Sequence, residues 1–463
     1  MTRPEVIARA FAALALTMQT LAVGANEPAV IPLQTGGTLT HFDRGRDAYA
    51  RPAPGLSITQ LRRFGLGNRV FNTRWVEAPA SVSGFDGLGP VFNRDSCSGC
   101  HQNDGRGRPP DTEHPELRDS FVVKLSSTHK RSKRQIDARF GPQLNTAGIS
   151  GVAGEGSIAV SYQESSGHFA DASAFHLRRP LLSVVDPNVP LPRHTQLGLR
   201  VAPAVFGLGL VEAISAESIV ARADPDDADG DGVSGRVNWV SSPQQANPQV
   251  GRFGWKAHAA TLADQAVDAA FQDIGLTSAH RTQQNCAPRH KACNHAYTDQ
   301  TPELSANLLD SLVSYLQTLG VPTRPTDMDA KRNDEGLRLF AQFGCAGCHQ
   351  PQWRSGATHP VALLRDQTFY PFSDFLLHDM GKGLAGGGGD GSATDQEWRT
   401  PPLWGLGLLK QVNGHTLLLH DGRARSVAEA ILWHDGEGRA AREAFRQAPA
   451  AERAMLTDFV LSL

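Results

Sequence analysis

Cys345-Ala346-Gly347-Cys348-His349 decides how this chain of 463 residues is read. Two cysteines three apart on one helical turn can each form a thioether to a haem vinyl group, and the next residue sets an imidazole under the iron. Cys97-Ser98-Gly99-Cys100-His101 repeats the frame. A thioredoxin-like dithiol needs no adjacent histidine, and a structural zinc site wants four N/S ligands in a closed tetrahedron. Neither accounts for the same histidine twice. The chain is therefore expected to carry two covalently bound haem c groups, with His101 and His349 as the ligands the motifs supply.

Working outward from residue 345, Asp334 to Phe343 reads as a helix with Leu337, Phe340 and Phe343 on one face, delivering the motif. Pro449 suits the first turn of a final amphipathic helix that runs to Leu463. Upstream of the first motif, residues 26 to 90 are rich in Gly, Pro and Arg, with a helical hint at Ile58 to Phe64. Phe121 to Leu125 and Ser157 to Tyr162 alternate or use β-branched residues, and Gly386 to Gly389 reads as a loop. The expected fold is mainly α: two cytochrome-c-like haem domains with long loops and minor β embellishments. Their boundaries are 26–329 and 330–463, an internal duplication diverged outside the haem frame.

Net charge is −2, and the one long basic run is His129-Lys130-Arg131-Ser132-Lys133-Arg134, which excludes nucleic acid as a natural partner. Arg3 and Arg9 precede an apolar stretch from Ala10 to Val23 and small residues ending at Ala25, the pattern of a signal peptide over 1–25, with Glu5 atypical. No later segment is long enough to span a membrane, so export to the periplasm is expected. Cys286 and Cys293 then suit a local disulfide; a ligand pair near His290 and His295 is the other reading. Asp227, Asp229 and Asp231, followed by Gly232, occupy positions 1, 3, 5 and 6 of a calcium loop. Position 12 is Asn238 where an EF-hand has Glu, so an Asp/Gly-rich turn competes with Ca2+ binding.

Function turns on the face of each iron opposite its motif histidine: a second strong ligand makes an electron-transfer haem, an open face beside an acid a catalytic one. Arg399-Thr400-Pro401-Pro402-Leu403-Trp404 and Leu419-His420-Asp421-Gly422-Arg423-Ala424-Arg425-Ser426-Val427-Ala428-Glu429-Ala430 resemble the C-terminal haem domain of bacterial di-haem cytochrome c peroxidases and their methylamine-utilisation relatives. Over most of residues 90–463 the chain resembles the di-haem oxidoreductase family. That likeness rests on Gln143-Leu144, Arg200-x-Ala202-Pro203 with Gly207-Leu208-Gly209-Leu210-x-Glu212, Leu377-His378-Asp379-Met380-Gly381, Glu397-Trp398-Arg399-Thr400 and His420 to Ala424.

The resemblance implies a distal ligand for the second haem after the His-Asp-Gly turn, where relatives carry Met or Tyr. Here the position falls at His434, with His378 and Met380 as alternatives, and imidazole in place of Met lowers the potential. For the first haem it implies a distal Glu, matched by Glu212, with Arg200 to stabilise developing negative charge. Glu155 and Gln143 are reserves, and one of His114, His129, His168, His176 or His194 could instead close the site. His420 and Arg423 suit haem tuning, the Arg through a propionate and neighbouring Asp421 by orienting an imidazole.

The implied activity is reduction of peroxide at the N-terminal haem with electrons relayed by the C-terminal one. The donor would be a small cytochrome or cupredoxin-type protein, or a quinol-linked one. The alternatives are a haem enzyme using high-valent iron or O2 to oxidise a partner protein or organic molecule, and a non-catalytic electron-transfer cytochrome.

Overall fold

The structure, a computed structural model, describes residues 31–463 except 83, 111–119, 128–139, 188–190, 193, 243–245, 298–301, 328 and 389. The signal-peptide expectation for 1–25, the basic run from His129 to Arg134, and His114 lie outside the described residues.

Helices form where the sequence supplies caps. Ser57 accepts the Gln60 N–H while the Gln60 side chain returns a bond to the Ser57 backbone, a reciprocal cap that starts Ile58–Asn72. Ser305 caps Ala306–Thr318, and Phe64, Val70 and Phe71 of the first helix pack against Leu309, Leu312 and Tyr315 of the second. Gly67 sits at their crossing, where a Cβ would meet the Ser311 carbonyl oxygen at 2.1 Å. The same core draws in Trp353, Phe369, Phe375 and Trp404, so it spans both sides of residue 329. A second core joins Ala330–Gln342 to Ala450–Leu461 through Leu339, Phe340, Leu456 and Phe459. Pro449 is the cap residue of the last helix, just ahead of its first turn.

The mainly-α expectation is corrected. Helix accounts for 32% and strand for 19%, the strand being spread over seven small sheets among the described residues. Most sheets are two-residue ladders where long loops cross, too short to leave a periodic signature. The largest is an antiparallel ribbon, Ser157–His168 paired with Ala174–Val185 along its whole length. One face is part-buried, with Ile158, Leu182 and Val184 packed on a small core, and the other is exposed. The ribbon tip reaches the C-terminal helices: Phe169 packs edge-on against Phe175 and Phe445, and the Arg453 guanidinium lies 3.9 Å from the Phe169 ring centre. A three-stranded sheet places Phe121–Ser127 between Gln143–Leu144 and Thr195–Val201, with Val122 opposite Arg200.

The two ends of the described chain meet at Arg324. This buried guanidinium donates to the Ile31 and Ser462 carbonyls, the Asn333 side chain and the Ser462 hydroxyl at 2.7–3.1 Å. Cys286 and Cys293 form the expected disulfide, with Cα atoms 5.6 Å apart.

Candidate active site

The two motifs fold alike. Each makes a 3-10 turn, Cys97–Gly99 and Cys345–Gly347, closed by the histidine N–H donating to the first cysteine carbonyl at 2.9 Å. Each imidazole then gives its Nδ1 hydrogen to a backbone carbonyl: His101 to Pro203 at 2.7 Å, His349 to Phe372 at 2.9 Å. That bond fixes the tautomer and leaves Nε2 as the lone-pair nitrogen, the arrangement found behind metal-bound histidines. Burial holds both rings near pKa 4, with the carbonyl bonds opposing it, so both are neutral.

A cavity of about 920 Å³ opens beside the first motif, lined by Cys97, Cys100 and His101. The buried guanidiniums of Arg200 and Arg399 and the part-buried one of Arg106 also line it. The recorded hydrogen bonds of these three go to backbone carbonyls. They leave a cationic wall suited to anionic propionates, and with the cysteine pair and His101 the lining fits a haem.

Glu212 is not among the lining residues. Its carboxylate accepts from the Leu262 N–H and Gln317 at 2.7 Å and lies 3.3 Å from His359 Nε2. Burial pushes it up, but these bonds hold it below the usual carboxylate range, as a packed structural acid. Glu155 is likewise outside the lining, with its carboxylate on the Asn145 N–H. His168, His176 and His194 do not line the cavity either. Arg200 does, with its guanidinium 4.4 Å from the Trp398 ring centre.

The acids that do reach the cavity went unread in the sequence. Asp273 is half-buried, and desolvation pushes its carboxyl upward against Lys124, the Gln143 bond and His258. Gln143 donates to Asp273 Oδ1 at 2.7 Å and to the Gln272 carbonyl at 3.1 Å. Gln265, Gln272 and Ala269 line the same wall. Asp273 belongs to a π-helical turn, Ala270–Ile274, that continues Leu262–Ala269, a distortion often found at functional sites.

That helix has a twin in the other half. Thr261 caps Leu262–Ala269 through the Asp264 N–H, and Ser426 caps Val427–Trp433 through the Glu429 N–H. The local sequences Thr261-Leu262-Ala263-Asp264 and Ser426-Val427-Ala428-Glu429 match in kind, and this repeat was the available signal. His434 follows Val427 by the interval that separates Ala269 from Leu262. Counted from the cap, that interval brings an imidazole in one half, just past its helix in extended backbone, and a methyl group in the other, within the helix.

His434 is half-buried, and its Nδ1 donates to the Ala430 carbonyl at 2.7 Å, again leaving Nε2 as the lone-pair nitrogen. It lies near enough to His349 to depress that ring further after burial. The alternative His378 has both nitrogens engaged, Nε2 with Asp374 at 2.8 Å and Nδ1 with Glu437 at 2.6 Å, which removes it as an iron ligand. Met380 lies beside His434, both side chains approaching Gly438.

His420 stacks on Trp398 with ring centres 3.6 Å apart, and its backbone carbonyl accepts the Val201 N–H. The Arg423 fork is spent on Asp421 at 2.8 and 2.7 Å, with a third bond to the Gly383 carbonyl. The turn thus ties its own charges together, with the Arg423 guanidinium 4.5 Å from the Trp433 ring centre. Asp227, Asp229 and Asp231 converge with carboxylate oxygens within 4.8 Å of one another. One oxygen of each already accepts a backbone N–H of the same loop.

Comparison with known proteins gives one family. The model of the family described as "Di-haem oxidoreductase, putative peroxidase" matches residues 31–133 and 145–463. No curated protein sequence matches the chain. Among solved structures, hydrazine synthase of Kuenenia stuttgartiensis pressurised with xenon aligns at 17% identity and TM-score 0.24, over 35% of this chain. The chain spans 57% of that protein's length. No helix of the described residues is long and apolar enough to cross a membrane.

Proposed function

We propose, because the chain belongs to the di-haem oxidoreductase family and haem is therefore its cofactor, that it reduces peroxide at the first haem site. Bound through Cys97, Cys100 and His101, the first haem would supply the redox iron for O–O cleavage, while a second on Cys345, Cys348, His349 and His434 would store an electron.

The observation that carries the reading is the contrast between His434 and Ala269. At the second site an imidazole stands at the end of the capped helix; at the first the same interval brings a methyl group, leaving room for a small substrate. Of the two acids on that wall, Asp268 is paired with Arg281, and Asp273 is the one placed to act. Gln143 occupies its Oδ1, so Oδ2 can hold the transferable proton, and burial keeps the carboxyl inclined to carry it. Reduction of peroxide to two waters consumes two electrons and two protons, and Asp273 would pass a proton from one peroxide oxygen to the other. Arg200, at the cavity wall, would favour developing negative charge. Glu212 has no part in this scheme. Cys286–Cys293 supports an oxidising compartment, consistent with export.

Peroxide turnover by Asp273→Asn tests the assignment. The expected loss is about 10²- to 10⁴-fold in kcat, with haem content unchanged. Wild-type protein that consumes no peroxide, or a variant at full rate, overturns it.

A further inference from the structure

The outer face of the Ile58–Asn72 helix is used by nothing described so far. Ile58, Leu61 and Leu66 are 72%, 44% and 57% exposed. Among them stand Arg62, Arg63 and Arg69, all exposed, and the helix contains no acidic residue. No ion pair among the described residues engages these three arginines. Arg69 lies 5.4 Å from the Phe85 ring centre. Single exposed leucines are ordinary, but an apolar stripe interleaved with three uncompensated cations, in a chain of net charge −2, is not.

The inner face of the same helix belongs to the first haem site. Phe71 lines the cavity, and its ring centre lies 5.9 Å from that of His101. The helix packs directly on the Cys97–Gly99 turn. Surface and axial histidine are thus separated by one helix, about 10 Å of protein.

We propose that this face is a docking surface for a small acidic redox protein that delivers single electrons to the first haem. Arginines that no ion pair engages among the described residues steer an acidic partner, and the apolar stripe supplies a desolvated centre for contact. One electron leaves the partner's cuprous or ferrous centre, which is oxidised, and the first iron goes from ferric to ferrous; no bond forms. The proposal rests on reading the first motif as a haem site.

Reduced plastocyanin of strongly acidic character is the probe, mixed with the ferric holoprotein in stopped flow and tested for binding by interferometry. A basic mitochondrial-type cytochrome c and phosphatidylglycerol vesicles are run beside it. Arg62→Glu/Arg63→Glu should lower the second-order reduction rate and the affinity by about 10-fold or more at low ionic strength, the gap closing near 1 M salt. Ile58→Ser/Leu66→Ser should weaken binding without changing its salt slope. Arg179→Glu/Arg289→Glu, with the same charge change elsewhere on the surface, should do neither. Reduction by the basic cytochrome at an equal rate, insensitivity to the helix variants, or vesicle binding that only the helix variants abolish each overturns the docking assignment. Normal reduction by dithionite alongside any of these leaves the haem reading standing; failure of dithionite removes both.

Discussion

Ala269→His would transplant the second site's ligand into the first. Ala269 lines the 920 Å³ cavity, so the larger side chain enters open space and causes no overpacking. The helix-propensity penalty is roughly 0.5 kcal/mol, too small to unfold the protein. If the new imidazole occupies the vacant face in about 99% of molecules, the accessible fraction falls to about 1% and kcat/KM for peroxide drops ~100-fold. That corresponds to about 2.7 kcal/mol of barrier. Ferric absorption and electron paramagnetic resonance should show wild-type protein with one high-spin haem and the variant with none. Ala269→Leu adds bulk without nitrogen and should leave the spin state alone. A high-spin signal that persists in Ala269→His at unchanged turnover would refute the equivalence of the two helices, as would wild-type protein with no high-spin haem.

The reciprocal change, His434→Ala, should convert the second haem to high spin while leaving the first unaltered in the same spectra. The His378 network predicts a stability window. Burial opposes its charge, but Asp374, Cys348 and Glu437 hold the imidazole well above its ordinary range, so its contribution is complete below about pH 6.5 and lost as pH rises through the elevated value. Burial raises Glu437, but His378 and backbone donors hold it low, so its contribution is present above about pH 4.3 and lost on acidification through the lowered value. His378→Gln should cost about 3–5 kcal/mol between those limits and flatten the alkaline limb in urea titrations. Lys256 is 1% exposed and donates to the carbonyls of Thr394, Asp395 and Glu397 at 2.5–3.1 Å. Lys256→Met should lower unfolding free energy by about 2–4 kcal/mol, read from the urea midpoint.

The two alike Cys-x-x-Cys-His turns were legible because their spacing is repeated, and the helices beginning at Ile58, Ala330 and Ala450 were legible from periodicity or proline. Of the ribbon, the start of its first strand was legible from the alternation of Ser157 to Tyr162, while the polar run Gln163 to Ser166 hid how far it extends. Asp273 escaped notice because its partner Gln143 is distant in sequence and no local motif joins them, whereas Glu212 attracted attention through a family-like string that the fold uses for packing. His434 was singled out by a string too, and there the string also carries the Ser426 cap of the helix before it. The repeated Thr-Leu-Ala-Asp and Ser-Val-Ala-Glu starts would have shown the second capped helix, had the duplication been sought in caps and not only in cysteines.

Arg324 makes the two segments it joins depend on each other. Its guanidinium bonds Ile31 and Ser462 at once, so neither segment is held unless the other is in place. Removing residues 460–463 should strip this buried cation of both Ser462 acceptors and loosen the two segments together.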